Sequence, residues 1–160
     1  MISLAVILLA LAAAGGVYAF LTASPVTVTN TFTPAEVKCE VTQTVTNDVQ
    51  TAATVKNTGN IRAWIRAVPV ANTLDGDGHV KGNFVLGDDV LAGTGWSKGA
   101  DNYYYYADKV EPGASTGNLF KADVNLNGKL VTVLAEAIQA EGFPDTVTTA
   151  EAAFVYAKGG

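Results

Sequence analysis

The sequence predicts an all-β domain, a jelly-roll-like β-sandwich, standing behind an apolar N-terminal segment. Three features carry that reading. Apolar and polar residues alternate with period two along 26–32, 61–68 and 130–140, with β-branched side chains frequent among them, as in strands with one buried face. Turn signals recur between these runs, at Asn57 to Asn60, Glu111 to Ser115 and Asn127-Gly128, which favours many short strands. The third feature is the charge map: no charged side chain precedes Glu36. The texture changes from aliphatic to Thr-rich at Ser24, which divides the chain into an apolar segment, 1–23, and a β-sandwich domain, 24–160.

In the first segment, Ile2 to Leu21 is interrupted by one Ser and two Gly. As a helix such a run spans about 30 Å, enough to cross the hydrocarbon core of a bilayer. Exposed to water it would aggregate, so it lies in lipid, packs in a protein bundle or is removed. The small residues Ala12 to Gly16 and Ala19 favour a signal peptide processed near the end of the run, although a positive n-region is missing. A retained membrane anchor is a second reading, with no flanking Lys or Arg to set its orientation. A hydrophobic assembly helix, packed against its copies in a filament core as in pilins, is the third.

The strands follow in order. Pro25 to Pro34 sets Val26, Val28 and Phe32 against Thr27, Thr29, Thr31 and Thr33, and its flanking prolines suit a strand terminus or edge. Val37 to Val45 puts Val37, Cys39 and Val41 on one face. Thr51 to Lys56 runs into the turn at Asn57, and Ile61 to Val70 returns with Ile61, Ala63, Ile65 and Ala67 as its core face. Arg62, Trp64, Arg66 and Val68 share the other face, where arginines are expected in solvent or stacked on Trp64. Residues 71–100 are rich in Gly and Asp and predict loops around short strands such as Gly82 to Leu86. Asn102 to Val110 reads as a strand with tyrosines on both faces, followed by strands at Leu119 to Val124 and Leu130 to Ala140. Thr149 to Tyr156 predicts a short helix with Thr148 or Thr149 as its N-cap. Ile65, Val131, Val133 and Ala135 are the expected core.

Composition excludes several classes of function. A net charge of −5 and no basic cluster among its 10 Lys and Arg argue against nucleic acid. Hydrophobic residues make up 49% and charged residues 16%, so the polar surface comes from Thr, Asn, Ser and Gly, a surface suited to packing against copies of the same chain. Cys39 is the one cysteine, so no intramolecular disulfide forms, and a buried, inert thiol is expected. His79 is the one histidine; beside Asp75 to Gly78 it suggests a calcium loop, but Leu86 stands where an EF-hand needs its twelfth-position Glu. A solvated loop without metal is the reading there, and Asp88-Asp89 is an ordinary loop pair. The chain has no G-x-S-x-G, P-loop or Rossmann fingerprint, and one Cys with one His cannot build a zinc site. No catalytic residue and no cofactor are therefore expected. Tyr103 to Tyr106 on a strand splits its rings between two faces, which argues against one carbohydrate platform, while exposed rings, with Trp64 and Trp96, would suit subunit contacts.

Several segments in order carry a resemblance: a Gly-rich apolar leader ending at Phe20, then Val28 to Thr33, Val55 to Arg66, Tyr103 to Tyr106, Val110 to Gly113 and Ala135 to Ala140. Together they resemble the TasA/camelysin family of exported biofilm-fibre proteins, over most of the chain. The resemblance implies a jelly-roll domain, a secreted or cell-surface location and polymerisation by donor-strand exchange, in which a freed N-terminal segment adds a strand to the neighbouring subunit. The matching residues are Ala19, Phe20, Leu21, Val26 and Val28, and the alternation adds Phe32. A strand-prone segment supplies main-chain hydrogen bonds and alternate side-chain anchors to an open sheet edge. The expected partners are copies of the same chain in a homopolymer, with membrane contact of residues 1–21 before assembly. The alternative expectation is a monomeric surface adhesin or binding module held in the membrane by its first helix.

Overall fold

A computed structural model describes residues 34–159. The apolar segment, the boundary drawn at residue 23, the predicted strand at 26–32 and the donor residues Ala19, Phe20, Leu21, Val26, Val28 and Phe32 lie outside the described residues. In chain order the elements are β1 (Cys39–Thr46), β2 (Val49–Asn57), β3 (Ala63–Leu74), β4 (Val80–Asn83), β5 (Trp96–Lys98), β6 (Tyr104–Tyr106), β7 (Val124–Asn125), β8 (Lys129–Gln139) and the helix α1 (Ala150–Gly159). The protein is all-β apart from that helix, and its strands form two antiparallel sheets: β1-β2-β7, and a second sheet centred on β3.

The first sheet begins as a hairpin. Asn47 and Asp48 turn β1 into β2 with φ of 51° and 59°, the left-handed conformation that Asn and Asp tolerate best after glycine. On its other side β2 faces the irregular segment 114–119. There the Ala53 amide donates to Asn118 Oδ1, Asn118 Nδ2 donates to Thr51 O, and the Val55 amide donates to Thr116 Oγ1. Side-chain bonds thus interleave with backbone ones, from the Thr116 amide to Val55 O and the Leu119 amide to Ala53 O, so the strand expected at Leu119 to Val124 shortens to β7, although Leu119 and Phe120 are buried in the core.

In the second sheet, β8 pairs with β3 along its whole length, from Ala63↔Gln139 to Thr73↔Lys129. The opposite side of β3 is shared by β6, at Arg66 and Ala67, and β4, at Asn72 to Leu74. The Phe84 amide donates to Ala71 O, so by alternation the odd residues of β3 point toward the β4/β6 side. Pro69, which has no N–H to give, therefore faces the interval between β6 and β4, where no ladder bond is lost. An apolar cleft of about 270 Å³ lies there, lined by Pro69, Phe84, Leu86, Leu91 and Tyr104 among others.

The period-two expectation holds for the core. Ala63, Ile65, Ala67, Val131 and Val133 are buried with Ala53 and Val55 of the first sheet, and half-buried Ala135 packs against them. The other face of β3 departs from expectation. Trp64 and Arg66 are buried because α1 lies across them: Trp64, Tyr105, Ala150, Ala153 and Phe154 form a second apolar cluster. The Arg66 guanidinium sits 3.9 Å from the Tyr103 ring centroid and 4.3 Å from that of Phe154. Its Nε donates to Glu136 Oε2 at 3.0 Å, and Asp101 lies 3.5 Å away. Arg62 stays exposed and pairs with Glu141 at 2.7 Å, while Lys109 rather than an arginine stands over Trp64. Thr149 Oγ1 accepts from the Ala152 amide and caps α1 as predicted.

Candidate assembly edge

The edges of the two sheets decide where another strand can add. The Ala140 amide donates to Arg62 O and the Leu74 amide to Gly128 O, so even-numbered residues of β8 turn their backbone groups toward β3. Its odd-numbered residues present theirs to the outer edge. Among the described residues β8 pairs with β3 alone, leaving Ala135, Ala137 and Gln139 without backbone partners on that edge. The edge is closed further along by one side chain. Gln43 Nε2 donates to Val131 O at 3.1 Å, and the Val133 amide donates to Gln43 Oε1 at 3.2 Å.

Burial follows that boundary. Val131 and Val133, beside the Gln43 amide, are buried, whereas Ala135 and Ala137 are half-exposed although they point to the same core. Across from them runs β1. The Thr58 amide donates to Lys38 O, so even-numbered residues of β1 and its approach face β2, and Val37, Cys39 and Val41 face outward with their backbone. Their side chains are half-buried against the core, as sequence alternation placed them. Strand β1 is likewise paired on one side among the described residues. Burial raises the Cys39 thiol, and the nearby Glu136 carboxylate raises it further, so the thiol is a poor nucleophile at neutral pH.

The chain enters beside this edge. Glu36 N donates to Asn60 Oδ1 at 2.7 Å, and Asn60 Nδ2 donates to Pro34 O at 2.8 Å. Gly59 lets the two segments meet: a Cβ there would stand 2.2 Å from Glu36 O. The approach 34–38 is thus tied to the 57–60 turn and leads straight into β1.

Other candidate residues fall elsewhere. Asp75, Asp77 and His79 come together on an exposed turn, ligand atoms within 4.8 Å of one another, with Asp75 Oδ1 accepting from the Asp77 and His79 amides. Asp88 pairs with Lys98 at 3.5 Å. Tyr104 and Tyr106 pack on the main core, and Tyr103 and Tyr105 on the α1 side, so the four rings divide as alternation required. Trp64 and Trp96 are both buried, which removes them as exposed contact rings; the indole of Trp96 donates to Gly117 O. No described helix is long and apolar enough to cross a membrane. Comparisons of the chain with protein-family models, with curated proteins and with solved structures returned no match.

Of the residues that make this edge, Ala135 was expected only as part of the core, and Gln43 and Ala137 were not singled out from sequence. Two signals were there. Gln43 interrupts the apolar face of Val37, Cys39 and Val41 with an amide, and the inner face of β8 changes from Val to Ala halfway along.

Proposed function

We propose that this chain is the structural subunit of an extracellular protein filament, with the jelly-roll-like sandwich and membership implied by its resemblance to the TasA/camelysin family. It is non-catalytic and polymerises head-to-tail: the N-terminal segment of one copy, with Val26, Val28 and Phe32 as anchors and Ala19 to Leu21 leading it, adds a strand to the next. The observation that carries the reading is the stretch of β8 at Ala135, Ala137 and Gln139, where open backbone groups and half-exposed core side chains coincide. An edge of that kind invites strand addition. An uncharged stretch of 35 residues needs apolar surface. A tail given by each copy to the next is a heterologous contact, which propagates into a filament unless the rotation closes a ring.

The test is assembly of full-length variants followed by electron microscopy. Val28→Asp and Phe32→Asp are expected to yield folded monomers that no longer polymerise, and deletion of residues 1–32 to do the same. Filaments of normal length after that deletion would refute the tail as connector, and the membrane-held monomeric adhesin would replace this reading. Mass spectrometry of the native N-terminus separates the routes: a start at Ala19 or Phe20 favours a donor strand, a start at Met1 a helix-packed core.

A further inference from the structure

Gln43 does something at the β8 edge that ordinary packing does not require. Its side-chain amide donates to the carbonyl of Val131 and accepts from the amide of Val133. In a parallel ladder the N–H and C=O of a single residue make that same pair of bonds, to the residues on either side of its register partner. One rung of a missing strand is thereby supplied by a side chain, and Val131 and Val133 are buried beneath it while Ala135 and Ala137 are not. We infer that Gln43 is the register stop of this edge, limiting an incoming strand from a second copy to the stretch Ala135–Gln139. The inference rests on the filament reading above.

A stop is needed because of the strand that would arrive. Along 26–33 Thr alternates with Val26, Val28, Asn30 and Phe32, so a one-residue slip would turn Thr inward and is rejected by the pleat. A two-residue slip exchanges Val26 for Val28 on the inner face, moves Asn30 and Phe32 one site along it, and leaves every threonine outside. Pleat and pattern together therefore leave steps of two residues open. A hydrogen-bonded amide across the next rung closes that step, since a longer overlap would have to displace both Gln43 bonds. Cys39, on the same outward-facing series of β1 two rungs away, is a built-in reporter of where the incoming strand stops.

The experiment uses the full chain with Cys39 in place and a second cysteine introduced in turn by Val26→Cys, Val28→Cys, Asn30→Cys and Phe32→Cys. Assembled samples are oxidised with diamide and resolved on non-reducing gels, because disulfides form between cross-strand cysteines only at matched positions. With Gln43 present, one of the four positions is expected to give a covalent ladder. With Gln43→Ala, a position two residues from the first should crosslink with comparable yield. Gln43→Asn, polar but too short to bridge both groups, should behave as Gln43→Ala does and carries the test if the alanine variant does not fold. A single crosslinking position in all backgrounds would overturn the stop while leaving strand addition intact. No crosslink to Cys39 in any background would overturn both.

Discussion

Replacing Ala137 by proline separates folding from assembly, because its N–H lies on the open side of β8. The neighbouring Ile138 is the control: it is paired with Trp64 and turns its N–H into the β3 ladder. Ile138→Pro removes one ladder bond and strands a buried carbonyl, costing roughly 2–4 kcal/mol. Ala137→Pro removes no bond within the domain, and its cost is local strain of about 1 kcal/mol. Pro69 already occupies the equivalent kind of position in β3. At roughly 4 °C per kcal/mol, thermal melts should fall by about 10–15 °C for Ile138→Pro and by about 4 °C for Ala137→Pro. Assembly reverses the order of interest. An incoming strand loses a rung at residue 137 and meets a ring, about 2 kcal/mol per contact, which raises the critical concentration for polymerisation roughly 30-fold. Sedimentation of filaments across a concentration series reads that number. Normal assembly of Ala137→Pro would show that the outer edge of β8 is not the acceptor.

Arg66→Ala should destabilise the domain by about 2–4 kcal/mol in urea titrations, through loss of two ring contacts and a charged hydrogen bond, its acidic partners being partly solvated. The same cluster predicts acid sensitivity. Burial alone would raise Glu136 and Asp101, but hydrogen bonds (from Arg66 and Tyr103 to Glu136, from Tyr105 to Asp101) and the Arg66 charge outweigh it and hold both below the usual carboxylate range. Their stabilisation is present above the ordinary values of 4.5 and 3.8 and is lost as pH falls through the lowered ones, so urea midpoints should drop there, and less so in Arg66→Ala. Val133→Asp places an unpaired charge at a site 4% exposed and should abolish stable folding; a soluble variant with an unchanged melt would contradict the register of β8. Gln50 is fully buried and its amide has no hydrogen-bond partner among the described residues, so Gln50→Met should raise stability by about 1 kcal/mol. A fall instead would mean that the amide is satisfied in solution.

The β character and the inner faces of β3 and β8 were legible because alternation reports burial of one face directly. Ile65, Val131 and Val133 needed nothing more. Arg66 and Trp64 were misread for the same reason: alternation places them opposite the core, and nothing local announces that a helix 80-odd residues later covers that face. The 114–119 segment escaped too, since pairing that mixes Asn118 and Thr116 side chains with backbone bonds leaves no periodic trace. The open edge was legible only in half. Apolar Thr-rich texture before Pro34 marked a strand in search of a sheet, but the place where a sheet lacks a strand follows from three-dimensional pairing alone.

The order of the chain gives the β8 edge a further property. Residues 129–139 are made after every other described strand, and β3, their one backbone partner among the described residues, waits through some 54 residues of intervening synthesis. Until they arrive, β3 has no neighbour on that side, and the edge at Ala135, Ala137 and Gln139 does not exist. The apolar segment before Pro34, by contrast, is made ahead of every described strand. Under the proposed assembly, a growing polypeptide thus carries that segment before an acceptor edge of its own is complete. A prematurely terminated chain ending before Lys129 would keep the first element and lack the second. Such a fragment could occupy the edge of a complete copy and offer none in return, so truncated products are expected to act as chain terminators.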